Sequence, residues 1–338
     1  MKSVLTWYTS GVEGNIKKQN SMITFKNQPR LSEHGVDQKY NERRLILLSQ
    51  MDQFLSTTEL FKDKDVSIEF FHSGVSSLSS FIEANGVKYV LKIPLRPTME
   101  GEVQFLKEWE AVNVPVPHVY EEGIIANFRY ILMQYIDVPL LTDAINNGTA
   151  KKDFSIDMGR TLAKMYTLKA EGYGRIIKGK PEHKTFKEWI LSEDLQKRFD
   201  GVRENNLLGD EHGTLTKVLD ILIAYAEADK MSTYCHFDFG ANNILATEPL
   251  TVIDPDPMVN NAIIDIGRSI LLESSGGYTG EQLKEGYFGG KGDFDIQALQ
   301  AAIILNAYWK FPYWYKKNKI KQIDHVQQYL SQTSHFLK

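Results

Sequence analysis

His236-Phe237-Asp238-Phe239-Gly240-Ala241-Asn242-Asn243-Ile244-Leu245, followed after a short gap by Val252-Ile253-Asp254, is the stretch that decides how this chain is read. Two acids and an asparagine sit on loops between short apolar runs. That set suits phosphoryl transfer, in which one carboxylate orients an attacking hydroxyl and accepts its proton. A second carboxylate and an amide oxygen then hold Mg²⁺ against the phosphates, and Asp and Asn are short and oxygen-bearing enough for octahedral magnesium. An aspartate alone in a turn is ordinarily a cap or turn former. It is the company of His236, Asn243 and Asp254 that makes Asp238 a catalytic candidate. His236 reads as a histidine bracing the loop, and Asp256, in Asp254-Pro255-Asp256-Pro257, as a structural turn acid.

Upstream, the pattern predicts strands over 66–71, 79–84 and 88–93, with the hairpin dipeptide Asn85-Gly86 between the last two. A loop of small residues containing Ser73, Gly74 and Ser76 joins the first two strands; with one glycine it is a weak phosphate loop by composition. Lys92 stands among Tyr89, Val90, Leu91 and Ile93, where an ammonium is costly to bury unless paired. A helix over 99–112 ends at Pro115 and Pro117, and strands follow over 119–125 and 128–135. Beyond Ile136 helical periodicity takes over, at 156–168, 186–199, 215–228, 263–272 and 296–309. Residues 1–35 are polar and aperiodic, and 40–55 carries one apolar helix face, Leu45, Leu47, Leu48, Met51, Phe54 and Leu55. The division expected is an N-terminal extension over 1–65 packing on a small β-rich, nucleotide-binding lobe at 66–136. A larger helical lobe, catalytic and substrate-binding, spans 137–338.

The 338 residues are 42% hydrophobic and 24% charged, with a net charge of −4, so no basic field argues for a nucleic-acid partner. Cys235 is the sole cysteine, which excludes an intramolecular disulfide and points to a reducing compartment. No apolar run is long enough for a signal peptide or a bilayer span. A cytoplasmic protein with no membrane partner is expected, its oligomeric state open.

The pattern H-x-D-x-x-x-x-N followed by I-D resembles the aminoglycoside phosphotransferase family, relatives of the protein kinases. Further marks are Pro115-Val116-Pro117, the run Ile131-Leu132-Met133-Gln134-Tyr135-Ile136, the segment Gly159-Arg160-Thr161-Leu162-Ala163-Lys164-Met165-Tyr166, and Gly172-Tyr173-Gly174. The resemblance implies an α+β, bilobal protein-kinase-like fold, a small β-rich N-lobe and a larger helical C-lobe, with the nucleotide, ATP or GTP, in the cleft between them. It also implies roles. Asp238 matches the catalytic aspartate, Asn243 and Asp254 the magnesium ligands, and Lys92 the lysine on the α/β-phosphates. Glu102 matches the glutamate that positions this lysine. Gln134, Tyr135 and Ile136 match the hinge that meets the base, and Asp265 an aspartate that braces the catalytic loop. The sequence departs from the family at Phe237, Gly240 and Asn242 within the loop, and at Tyr166, where a histidine is usual. Asn242 stands where glycine is common, a place for a left-handed turn.

The partner expected is a small molecule with a free hydroxyl. The resemblance makes an aminoglycoside or aminocyclitol, and so antibiotic resistance, the leading expectation. Glu273, Glu281, Glu285, Asp293 and Asp295 are candidate partners for ammonium groups. Lys310, Lys316, Lys317, Lys319 and Lys321 form a basic run read as a solvated face, or as the mark of an anionic or neutral substrate. The alternatives are a kinase of an ordinary metabolite (choline, a sugar, an amino sugar, a homoserine-like compound) and a nucleotide-binding pseudokinase.

Overall fold

The structure is a computed structural model that describes residues 14–17, 22–31, 38, 40–72, 76–95, 101–204, 213–228, 231–273, 280–320, 322–324 and 327–328. The chain forms two compact units, residues 1–103 with 117–137, and residues 104–116 with 138–338.

The first unit is built on a seven-stranded sheet in the order β1-β2-β3-β4-β5-β7-β6. The strands are β1 (Gly14–Lys17), β2 (Met22–Phe25), β3 (Val66–Phe70), β4 (Ser77–Ala84), β5 (Val87–Pro94), β6 (Val119–Ile125) and β7 (Phe128–Gln134). The hairpin β4–β5 turns at Asn85 and Gly86, at φ 48° and 80°, the left-handed pair that matches strand twist. β1 and β2 lie in a stretch read as aperiodic, where Met22-Ile23-Thr24-Phe25 is too short an alternation to register. β2 pairs in parallel with β3, Ile23 opposite Val66, and Ile23 is buried. Between β2 and β3 runs α1 (Asn41–Thr57). Its Leu47, Met51, Phe54 and Leu55 join Ile68, Ile82, Leu91 and Leu132 in one core, while Leu45 is exposed. α2 (Glu102–Ala111) follows β5, and from Gln104 onward it belongs to the second unit.

The second unit is mainly helical: α3 (Leu141–Asn146), α4 (Phe154–Met165), α5 (Phe186–Ile190), α6 (Glu193–Glu204), α7 (Thr214–Ala228), α8 (Ala262–Glu273), α9 (Gly280–Phe288) and α10 (Ile296–Lys316). A four-stranded sheet, in the order β10-β13-β8-β9, combines β8 (Tyr173–Ile177), β9 (Lys180–His183), β10 (Thr233–Cys235) and β13 (Met258–Asn260). The two-stranded ladder β11 (Ile244–Leu245) and β12 (Thr251–Val252) stands apart from it.

Two helix expectations need correction. The 186–199 segment is broken at Leu191 and Ser192, because α5 is closed by its own cap and a new helix starts, Gln196 N–H donating to Ser192 O over 2.9 Å. The last helix does not stop at 309 but runs through Pro312 to Lys316, held beyond the proline by the burial of Phe311 and Trp314.

Helices pack at contact distance through glycine. A Cβ on Gly286 of α9 would collide with the carbonyl oxygen of Ile156 in α4, and one on Gly159 of α4 with that of Leu283. A Cβ on Gly267 of α8 would lie 2.8 Å from the Cβ of Ala302 in α10. Asn306 of α10 adds a buried hydrogen bond, its Nδ2 donating to Ile264 O over 2.8 Å. α8 and α10 are thereby locked side by side, and both feed residues to the loop described next. Among the described residues no helix is long and apolar enough to cross a membrane.

Candidate active site

The catalytic-loop residues fold around one buried acid. Asp265, in the first turn of α8, is fully buried. Its Oδ2 accepts from His236 N–H over 2.7 Å and its Oδ1 from Phe237 N–H over 2.9 Å. The Tyr166 hydroxyl donates to the same Oδ2 over 2.9 Å. Burial pushes the Asp265 carboxyl up, opposed by His236 and by these hydrogen bonds. Tyr166 therefore has a polar task on a helix face that reads as core.

His236 is bound at both ring nitrogens. Nε2 lies 2.9 Å from Ile253 O, and Nδ1 3.2 Å from Asp238 N. The carbonyl can only accept and the amide only donate, so the ring is the neutral Nε2–H tautomer. Burial also lowers its pKa, against the pull of Asp265. Trp109 of α2 stacks on this ring at 5.9 Å and 6°. A histidine engaged in this way braces the loop and has no free nitrogen to carry a proton.

Phe237 has φ +59°, the left-handed region that costs a non-glycine residue free energy. Glycine at this place would adopt that φ freely. Phe237 is held there by the Asp265 contact and by complete burial of its ring. The left-handed turn expected at Asn242 is instead at Phe237; Asn242 sits in a 3-10 turn, Ala241–Asn243, and is not among the residues of positive φ.

Asp238 is half-buried. Asn243 Nδ2 donates to its Oδ2 over 3.0 Å and to its backbone oxygen over 2.8 Å. Lys310 Nζ, from α10, donates to its Oδ1 over 2.8 Å. Burial pushes this carboxyl up, but Lys310 and Arg268 outweigh it and hold the group below the ordinary carboxylate range. Lys310 is itself pushed down, by burial and then by Arg268. It is thus no part of a solvated face. Asp256 is engaged by an arginine: its carboxylate takes both terminal nitrogens of Arg175, at 2.6 and 3.1 Å.

Asn243 and Asp254 flank one end of the β11–β12 ladder, where Ile253 N–H donates to Asn243 O over 3.0 Å. Since Nδ2 of Asn243 faces Asp238, its Oδ1 turns the other way. Asp254 is exposed and is held at φ +53°. Two hard oxygen donors of this kind fit Mg²⁺, which takes one or two protein groups and completes its shell with phosphate oxygens and water. Among the described residues there is no cluster of three His, Cys, Asp or Glu that could hold a metal.

In the first unit, Lys92 and Glu102 form a buried ion pair, Nζ to Oε1 at 2.5 Å, with side chains 7% and 1% exposed. Gln134 closes β7, and its N–H donates to His118 O over 2.8 Å. Tyr135 packs edge-on against Phe81 at 4.8 Å under the ammonium of Lys88, and Ile136 is half-buried. Ser76 O accepts from Leu95 N–H over 2.8 Å, while Ser73 and Gly74 lie outside the described residues.

Three of the five acids expected to meet ammonium groups have local partners. Asp295 caps α10 by accepting from Ala298 N–H over 2.9 Å, and Glu281 and Asp293 pair with Lys284 at 3.1 and 3.4 Å. What the sequence reading missed is cationic: Lys310, Arg268 and Arg175. Arg268 carried a signal, an arginine inside the apolar helix Ala262–Glu273.

A β-rich unit with a buried Lys–Glu pair and a helical unit with an Asp–Asn loop make up the protein-kinase-like fold of small-molecule kinases. The model of the phosphotransferase enzyme family APH matches residues 67–301, well over half of the chain, and the chain belongs to that family of enzymes, which phosphorylate hydroxyl groups of small molecules. No curated protein matches it significantly by sequence. Among solved structures, a thermostable variant of aminoglycoside phosphotransferase APH(4)-Ia, in ternary complex with AMP-PNP and hygromycin B, is similar at TM-score 0.60 and 15% identity, covering 83% of this chain and 96% of that one. A Thermobifida fusca YX-ER1 protein described as a fructosamine-3-kinase is similar at TM-score 0.55 and 16% identity, over 79% and 95%. Spectinomycin phosphotransferase APH(9)-Ia, with ADP and spectinomycin, follows at TM-score 0.50 and 15% identity, over 82% and 93%. At such identities the likeness is one of fold.

Proposed function

We propose that the protein transfers the γ-phosphoryl group of ATP or GTP to a hydroxyl of a small molecule, with Asp238 as the group that orients and deprotonates the acceptor. The observation that carries this reading is the double hold on Asp238, Asn243 on one oxygen and Lys310 on the other. Each carboxylate oxygen has a further lone pair, so an acceptor hydroxyl can still donate to it. The depressed pKa keeps the carboxylate ionised, so that it can accept a hydrogen bond from that hydroxyl and orient it. Asn243 Oδ1 and Asp254 would hold Mg²⁺, which supplies positive charge against the phosphates. Lys92, kept in place by Glu102, would meet the phosphate oxygens. Gln134, Tyr135 and Ile136 would meet the base; with the Gln134 N–H engaged by His118, the groups after it take that part. The location that suits this chemistry is the cytoplasm, where the nucleotide is plentiful.

An aminoglycoside or aminocyclitol acceptor is supported by the family and by the hygromycin B and spectinomycin of two structural neighbours. A hydroxylated metabolite is the second reading, and the local pairing of Asp295, Glu281 and Asp293 favours it.

The test is nucleotide-dependent ADP release against a panel of hydroxyl compounds, with mass spectrometry for the phosphorylated product. Asp238→Asn is expected to lower turnover by about 10² to 10⁴-fold while nucleotide still binds. A variant keeping half of the wild-type rate would remove Asp238 from the chemistry. Asp254→Asn and Asn243→Ala should each raise the magnesium needed for half-maximal rate; unchanged magnesium titrations would place the metal elsewhere.

A further inference from the structure

The charged groups around Asp238 are not all in direct ion pairs. Arg175 and Asp256 neutralise one another through their two-pronged contact, as do Lys310 and Asp238. Arg268 and Arg198 stand outside these two pairs. Among the described residues neither Arg268 nor Arg198 has a carboxylate within ion-pair distance. Both instead lie over aromatic rings. Arg268 is 4.3 Å from the Phe237 centroid and 5.8 Å from that of Trp309, and Arg198 is 5.1 Å from Trp309. Arg268 is only 3% exposed, and its Nε and Nη1 are buried without a hydrogen-bond partner. Asp238, Asp256 and Asp265 are near enough to act on it through space, yet each is already engaged.

A buried guanidinium with no direct ion pair and two unsatisfied donors is costly, and the faces of aromatic rings return only part of that cost. An anion placed beside it would supply what is missing, since the guanidinium fork matches carboxylate and phosphate geometry. The position of these cations bears on which anion. Phe237, the ring under Arg268, precedes Asp238 in the chain, and Trp309 precedes Lys310, which holds Asp238 Oδ1. The other oxygen belongs to Asn243, on the side proposed for the metal and nucleotide. Asp238, the group proposed to meet the acceptor, is the first of the carboxylates that act on Arg268 through space.

Resting on the phosphotransferase reading above, we propose that the acceptor is an anion, a hydroxyl compound carrying a carboxylate or phosphate group. Arg268 holds that group from within the fold and Arg198, which is exposed, from the rim, while the acceptor's hydroxyl is presented to Asp238. Trp309, stacked on Trp189 at 6.0 Å and 27°, is the flat surface on which both guanidiniums are arranged. A polycationic acceptor would meet charge of its own sign there, which discriminates against it.

Calorimetric titration of the full chain tests this, first with magnesium and a non-hydrolysable ATP analogue, then with inorganic phosphate, gluconate, glycerol 3-phosphate and kanamycin. Saturable binding of phosphate and of at least one hydroxylated anion is expected, with kanamycin inert. Arg198→Gln should weaken anion binding by roughly tenfold, the loss of one charge-assisted contact. Lys316→Gln, an exposed lysine outside the cluster, should leave it unchanged. Arg268→Gln should weaken it further, and because that residue is buried its melting curve is recorded alongside; Arg198→Gln carries the test if the buried variant fails to fold. The proposal is overturned if the nucleotide analogue binds normally and no anion does, if kanamycin binds in preference, or if Lys316→Gln weakens anions as much as Arg198→Gln. Failure of the nucleotide analogue to bind would instead overturn the phosphotransferase reading itself.

Discussion

The hydroxyl of Tyr166 donates to Asp265 across 2.9 Å, tying the end of α4 to the start of α8 beneath the loop that carries Asp238. A hydrogen bond to a buried charged group is worth about 1.5–3 kcal/mol. Tyr166→Phe should cost that much in denaturant unfolding and lower turnover as the loop loosens. Burial and the charge of Asp265 hold the phenol well above its ordinary pKa, so it stays a donor. The cost is therefore expected to be the same at neutral and mildly alkaline pH, and a cost that vanishes in alkali would contradict the pairing.

His236 gives a pH dependence of definite sign. Its folded pKa lies below the ordinary imidazole value of 6.5, from burial above all. The unfolded state then binds more protons than the folded state as pH drops through that range. Stability is present in full above about pH 6.5 and declines with acidification until the folded pKa is reached. Unfolding measured from pH 8 to pH 5 should show this slope, and His236→Asn should flatten it at some expense in overall stability.

The Lys92–Glu102 pair separates stability from binding. Removing one member of a buried pair costs about 3–5 kcal/mol, because it strands the other charge. Lys92→Met and Glu102→Gln should each show such a loss in thermal or chemical unfolding. The double variant should recover part of the stability and none of the nucleotide affinity. Recovery of affinity in the double variant would mean that Lys92 does not touch the nucleotide.

Phe237→Gly sets backbone strain against burial. Releasing a non-glycine residue from φ +59° returns roughly 1–2 kcal/mol. Losing a fully buried phenyl ring costs about 3–5 kcal/mol. Burial wins, and a net loss of about 2 kcal/mol is expected, together with the loss of the ring under Arg268. A variant as stable as the wild type would show that the ring contributes little.

Gly286→Ala adds one methyl group where α9 touches the carbonyl of Ile156. Overpacking of this kind costs about 1–3 kcal/mol, and the helices must part to admit it. The measurement is a melting temperature, with Gly280→Ala, whose added Cβ meets only ordinary contacts with Ile270, as the neutral comparison.

The loop from His236 to Asp254 was legible in the sequence because its groups are close together and their spacing is set by local turns. The hairpin at Asn85-Gly86 was legible for the same reason, a dipeptide that favours positive φ. Two kinds of feature were not. β1 and β2 are four residues each, too short for an alternation to stand out, and their pairing is fixed by β3 some forty residues away. Lys310, Arg268 and Arg175 reach the Asp238 region from α10, α8 and β8, and no local pattern records that three separate elements converge. In sequence Lys310 looks like the first of a surface run; only the packing of α10 on α8 turns it inward.

The first unit is discontinuous along the chain: it takes residues 1–103, yields 104–116 to the other unit, and resumes at 117–137. Strand β7, which pairs with β5, is made only after that excursion. During synthesis the early strands must therefore wait for a partner that emerges some forty residues later, with one sheet flank open meanwhile. No single cut releases either unit whole. A truncation at residue 103 lacks β6 and β7, and one beginning at 138 lacks Trp109, the aromatic partner of His236. Fragment expression, deletion mapping and split-protein designs that assume a boundary at one point of the sequence will each produce two incomplete pieces.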